Sequence, residues 1–147
     1  MKTPTKRITA DDLRKLPKAK VNELFAHLGP LKVDELQHDW SFWGRDAQFP
    51  PTDNDWNTWL INAGRGFGKT RCGAEWVRQQ VKLGHKRIAC VASTNSDIER
   101  VMVKGESGFL SVCWKHDKDN KGKHMGFPEW SPTKRSLTWA NGAKVEF

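Results

Sequence analysis

Three glycines at alternate positions, Gly64, Gly66 and Gly68, run directly into Lys69 and Thr70, and no other stretch of the 147 residues restricts the fold as tightly. Backbone N–H groups that converge on one anion require loop conformations that side chains obstruct, and glycine permits them. A lysine at the end of such a loop supplies a point charge to β- and γ-phosphates, and the hydroxyl after it completes the coordination of Mg²⁺. Ala63-Gly64-Arg65-Gly66-Phe67-Gly68-Lys69-Thr70 therefore reads as a phosphate-binding loop. It departs from the usual G-x-x-x-x-G-K-[ST] spacing only at Ala63, which falls at the loop's entry, where a negative φ suffices.

The flanks agree with that reading. Thr58-Trp59-Leu60-Ile61 is a short apolar, β-favouring run that ends at the loop, as a buried strand would. Residues 70–83 carry Ala74, Val77 and Val81 at helical spacing, with Gly84 as a stop signal. The helix so predicted aims its N-terminus at the anion. A second apolar run, Arg87-Ile88-Ala89-Cys90-Val91-Ala92, has the composition of a strand covered on both faces and completes a β-α-β unit. Thr94-Asn95-Ser96 leads into a further helix, with Ser96 and Glu99 at capping-box spacing and Ile98, Val101 and Met102 as its apolar face. The alternation predicts a parallel α/β sheet.

Ahead of this region, residues 9–43 read as helices. Leu13 and Leu16 precede Pro17, then Val21, Leu24, Phe25 and Leu28 are closed by Gly29-Pro30, and Val33, Leu36, Trp40 and Trp43 mark a second helix whose stripe is a packing face. The expected division is a helical appendage at 1–48 and a nucleotide-binding portion at 49–147. Near the other end, 115–123 reads as an exposed charged loop within reach of a nucleic acid, and 135–147 as a hairpin about Asn141-Gly142. A three-residue turn with Gly142 left-handed aligns Leu137 with Val145 and Trp139 with Ala143 on one face. A sheet of few strands leaves open edges and an uncovered face, with Trp139 and Val145 on it, so self-association is expected.

A formal net charge of +8 and a pI near 9.6 suit a polyanionic partner without separating DNA, RNA and a membrane surface. No apolar run approaches a membrane span, and Met1-Lys2-Thr3-Pro4-Thr5-Lys6-Arg7 lacks the apolar core of a signal peptide, so a cytosolic protein is expected. Cys72, Cys90 and Cys113 have no paired spacing and read as reduced thiols; Cys113-x-x-His116 with His124 lacks a fourth metal ligand.

Several separated blocks, in order, carry a resemblance. Trp43-Gly44-Arg45-Asp46-Ala47-Gln48-Phe49-Pro50-Pro51, Asp55-Trp56-Asn57-Thr58-Trp59-Leu60, the glycine loop through Arg71, Gly73-Ala74-Glu75-Trp76-Val77-Arg78, Gly105-Glu106-Ser107-Gly108 and Leu137-Thr138-Trp139-Ala140-Asn141-Gly142-Ala143 are similar to the large terminase subunit of tailed bacteriophages. The resemblance runs from about Trp40 onward. It implies an α/β fold, a partial P-loop NTPase of the RecA-like (ASCE) type with a parallel sheet. The implied activity is an ATPase motor that drives double-stranded DNA into a procapsid, joined in the family to a metal-dependent nuclease. The implied cofactors are ATP and Mg²⁺. The implied partners are double-stranded DNA, the portal or procapsid, the small terminase subunit and further copies in a ring, all in the bacterial host cytoplasm.

By the same resemblance Gly64, Gly66, Phe67 and Gly68 form the phosphate cradle, and Lys69 and Thr70 match the phosphate and Mg²⁺ residues. Arg65 matches an arginine that approaches the γ-phosphate as an in-chain counterpart of an arginine finger, a catalytic role. Gln48 matches a position associated with adenine recognition. The family also needs an apolar strand ending in Asp-Glu to hold Mg²⁺ through water and orient the attacking water. No such motif occurs in the 147 residues, so the chain resembles the N-terminal portion of a terminase large subunit, through truncation, a split gene or a fragmentary reading frame. ATP binding without motor-rate turnover is expected of it. Another RecA-like or helicase ATPase and a non-catalytic ATP-binding remnant are the alternatives.

Overall fold

The computed structural model describes residues 8–52 and 55–147, and the chain divides between Pro50 and Pro51 into two compact units. In the first, α1 (Ala10–Arg14) starts where the Thr9 N–H and hydroxyl donate to Asp12 at 3.2 and 3.0 Å. Pro17 separates it from α2 (Lys18–Leu28), and Gly29, at φ 75°, turns the chain into α3 (Pro30–Gln37). The helix expected to run through Trp43 breaks at His38 and Asp39. Asp39 caps a separate short helix, α4 (Trp40–Trp43), by accepting from the Ser41 N–H at 2.8 Å. An Asx side chain that bonds the backbone two residues on competes with a continuing helix, which explains the break.

None of α1 to α3 buries a residue; the packing lies around α4 instead. Phe42 is buried, Trp40 and Phe49 meet at 5.9 Å, and the Trp43 ring N–H donates to the Leu36 carbonyl at 2.7 Å. Gly44 has to be glycine here, since a Cβ would stand 2.6 Å from the Phe49 ring.

The second unit is mixed α/β. Helix α5 (Lys69–Lys82) packs on a four-stranded sheet of order β1-β4-β3-β2, made of β1 (Arg87–Ala89), β2 (Glu129–Ser131), β3 (Ser136–Thr138) and β4 (Lys144–Glu146). Only β1 and β4 run parallel; β4 with β3 and β3 with β2 are antiparallel. The parallel sheet expected from the sequence, with a hairpin after it, is thus corrected to one mixed sheet, because the hairpin strands occupy the place beside β1. Strand β2 had no clear signature in the sequence.

The hairpin register is the expected one. Leu137 pairs with Val145, the Trp139 N–H donates to the Ala143 carbonyl at 2.9 Å, and Gly142 takes φ 88°. Trp139 and Val145, however, are 2% and 0% exposed. The face expected to be uncovered is the core, since Val77 and Val81 of α5, Val103, Phe109 and Val112 pack with it.

Two strand expectations change. Residues 58–61 form no strand, and Leu60 is 81% exposed. A strand needs a neighbour for its backbone groups, and among the described residues none pairs with this run. The run 87–92 is a strand only to Ala89, with one more bond from the Cys90 N–H to the Glu146 carbonyl at 2.8 Å, because β4 extends no further; Val91 is 90% exposed.

The next helix starts earlier than expected. Thr94, not Ser96, is the cap: its hydroxyl accepts from the Asp97 N–H at 3.1 Å, opening α6 (Asn95–Asp97). A π-helical stretch, Ile98–Val103, follows, where the Lys104 N–H reaches the Glu99 carbonyl at 2.9 Å. Its wider turn brings Ile98 and Val103 into the core, with Met102 packed against it, and leaves Val101 44% exposed, so the expected face holds at Ile98 and Met102 and shifts from Val101 to Val103. Gly108 then lets α7 (Phe109–Val112) approach the preceding turn, where a Cβ would lie 2.7 Å from the Met102 carbonyl oxygen.

Candidate phosphate-binding loop and its supporting ion pairs

Residues 63–70 form a turn that enters α5 directly. Gly66 and Gly68 take φ of 83° and 91°, which side-chain-bearing residues seldom adopt. Gly68 is the N-cap of α5 and offers no side-chain hydrogen bond to the first turn. The N-terminal end of a helix, with the positive end of its dipole, suits an anion. A Cβ built at Gly64 or Gly66 would meet nothing within 4 Å.

The Lys69 ammonium folds back over the loop and donates to the carbonyls of Ala63 and Gly64, both at 2.8 Å. Among the described residues its partners are these two carbonyls. A phosphate group arriving at the loop would meet that ammonium. Arg65 and Thr70 are exposed, Thr70 in the first turn of α5 and Arg65 in the turn itself. The loop residues predicted from sequence thus lie together, and left-handed Gly66 and Gly68, the start of a helix and the Lys69 ammonium are compatible with a triphosphate.

Gln48 belongs to the first unit. It is buried at the end of a 3₁₀ turn, Asp46–Gln48, and its side-chain oxygen accepts from the Arg45 N–H at 2.9 Å.

What sequence reasoning missed lies one turn behind the loop. Glu75 accepts from Arg71 Nε at 2.9 Å and from Arg78 Nη1 at 3.1 Å. Arg78 grips Asp117 with two bonds, 2.6 and 2.7 Å, and Lys82 reaches the same carboxylate at 2.7 Å. Helical spacing shows the Arg71, Glu75 and Arg78 part, because i,i+4 and i,i+3 positions share a face. Asp117 is 39 residues from Arg78, in a segment that reads as solvated loop, and nothing local marks it as buried.

Burial opposes the charge on both partners of the Arg78–Asp117 pair. Mutual hydrogen bonding outweighs it, so the guanidinium is held above its ordinary value and the carboxyl below. Burial likewise pushes the Cys90 thiol up to about 11 and the Cys113 thiol up to about 12, leaving both protonated at neutral pH and poor nucleophiles. All three cysteines are unpaired thiols. Among the described residues no group of three or more His, Cys, Asp or Glu can hold a metal ion, and no helix is long and apolar enough to cross a membrane.

Compared with protein-family models, with curated proteins and with solved structures, the chain matches none.

Proposed function

We propose that residues 63–70 bind the phosphates of Mg²⁺-ATP, and that the chain is the ATP-binding part of a motor that packages double-stranded DNA, of the large-terminase kind. The observation that carries the nucleotide site is the pairing of left-handed Gly66 and Gly68 with an ammonium, Lys69, folded over the loop at the start of a 14-residue helix. The amides of the loop would hold the β- and γ-phosphates together with Lys69, Thr70 would ligate Mg²⁺, and Arg65 would meet charge developing at the γ-phosphate. Bound Mg²⁺ supplies charge neutralisation on the triphosphate. The choice of motor rests on the ordered sequence blocks from Trp43 to Ala143, and with it come the procapsid, the small subunit, the ring and the host cytoplasm.

A second reading, nucleotide binding without turnover, is favoured by Glu75. The first acidic side chain after the loop is 2% exposed and bound to two guanidiniums, so it is not disposed as a base toward water.

Titration calorimetry tests the site. Mg²⁺-ATP should bind the wild-type chain, Lys69→Ala should weaken binding about 10- to 100-fold, as expected for a lost charge-assisted bond, and Thr70→Ala should weaken mainly the Mg²⁺-dependent part. Equal affinity of the wild type and Lys69→Ala would remove the assignment.

A further inference from the structure

Segment 115–124 holds Lys115, Lys118, Lys121 and Lys123 with His116 and His124, all exposed, and two acids, Asp117 and Asp119. In sequence the acids dilute the charge. In the folded protein Asp117 is buried, and Asp119, half-buried, is hydrogen-bonded to the backbone of its own turn. Asp117 is 3% exposed and bound to Arg78 and Lys82. Asp119 accepts from the backbone N–H groups of Lys121 and Lys123 at 3.0 and 2.9 Å, closing the turn on which those lysines stand.

The segment is also fastened down. The Asn120 N–H donates to the Lys82 carbonyl and its side-chain amide to the Leu83 carbonyl, both at 2.7 Å, so the turn sits on the C-terminal end of α5. Lys118 bridges to His124, and the Met125 N–H donates to the Asp117 carbonyl at 2.8 Å. Lys86 and Arg87, exposed in the chain that leaves α5, add charge of the same sign at that end. A solvated loop can spread its cations apart. This one holds them on an anchored turn, where their repulsion is relieved by bound polyanion.

We infer that the anchored lysine turn at the C-terminal end of α5 is a binding surface for the phosphodiester backbone of nucleic acid, distinct from the nucleotide loop. Fourteen residues of helix set the two ends of α5 about 21 Å apart. The surface follows from charge placement and does not depend on the phosphate-loop reading; the packaging proposal enters only in the choice of duplex DNA as first probe.

The experiment is fluorescence anisotropy of a labelled duplex with the full chain, at roughly 50 to 200 mM salt, a range over which phosphate contacts weaken steeply. The test variant is Lys115→Gln, Lys118→Gln, Lys121→Gln and Lys123→Gln together. Each lysine that neutralises a phosphate contributes about 0.9 to the salt slope, so the fourfold variant should lose up to about 3.6 of it and bind on the order of 100-fold more weakly at low salt. Replacing Lys15, Lys18, Lys20 and Lys32 of the first unit by Gln should leave the slope unchanged. Duplex RNA in place of DNA should show the same loss in the fourfold variant, because the shared chemistry is the backbone. Circular dichroism and the melting temperature of that variant should match the wild type, since every changed side chain is exposed. An unchanged slope and affinity in a folded fourfold variant would overturn the inference. So would tighter binding to phosphatidylserine–phosphatidylcholine vesicles than to either nucleic acid.

Discussion

Arg78 and Asp117 meet as a two-bond pair, Nε to Oδ2 at 2.6 Å and Nη2 to Oδ1 at 2.7 Å, with side chains only 5% and 3% exposed. The pair ties the helix behind the glycine loop to a segment 39 residues away. A carboxylate there also satisfies Lys82 and the Trp114 N–H, so four donors converge on it with the two from Arg78.

Removing the carboxylate leaves a buried guanidinium short of its main partner. Asp117→Ala should lower the unfolding free energy by about 3 kcal/mol or more, the usual cost of breaking a buried pair from one side. Urea unfolding followed by tryptophan fluorescence measures it. Lys121→Ala, on the exposed side of the same segment, should stay within about 0.5 kcal/mol of the wild type. Similar small changes for both would show that the pair contributes little.

The same pair sets a pH dependence. Burial acts to raise the Asp117 carboxyl, but Arg78 and Lys82 hold it below its ordinary 3.8. A folded value below the unfolded one means that the stabilisation is fully present above about pH 4 and is lost as pH falls through the lowered value. The stability gap between wild type and Asp117→Asn should therefore narrow from pH 5.5 to pH 3. A gap that widens on acidification would contradict the sign.

Glycine is required at some loop positions and not at others. Gly68→Ala places a Cβ on backbone at φ 91° and should destabilise the protein by about 1–2 kcal/mol, with weaker ATP binding as the cap distorts. At Gly64 the backbone is not left-handed and a Cβ meets nothing within 4 Å, so Gly64→Ala should leave stability within about 0.5 kcal/mol. Thermal melts and calorimetry on the two variants distinguish them; equal costs would mean that the loop conformation is different.

Gripping phosphates does not hydrolyse them. Loss of one group that orients water or stabilises charge costs a hundredfold or more in rate, and Glu75 is committed to Arg71 and Arg78. Residues 1–147 on their own should release phosphate from ATP at the background rate, with or without DNA. A steady-state phosphate assay showing DNA-stimulated hydrolysis would overturn this.

Local chemistry alone determined the glycine loop, the helix after it and the hairpin register. Each depends on neighbours in sequence: left-handed turns that need glycine, an apolar stripe at 3.6 spacing, and a side-chain period of two that leaves one register burying Leu137 with Val145 and Trp139 with Ala143. The N-terminal helices were legible for the same reason, apart from the break at Asp39, where a side chain outcompeted the helix.

Tertiary structure decided what depends on distant partners. Whether 58–61 is a strand depends on a neighbouring backbone, and apolar composition cannot supply one. The length of β1 was set by β4, and the direction of the sheet by which strands took the adjacent place. The five-residue bonding of 98–103 rotated the apolar face away from Val101 toward Val103. Asp117 reads as one more charge in a polar loop, and only the fold brings Arg78 to it. That contact buries the acid against Arg78 and Lys82 and leaves the exposed lysines around it in excess over the half-buried Asp119, a property of the assembled charges that no stretch of sequence contains.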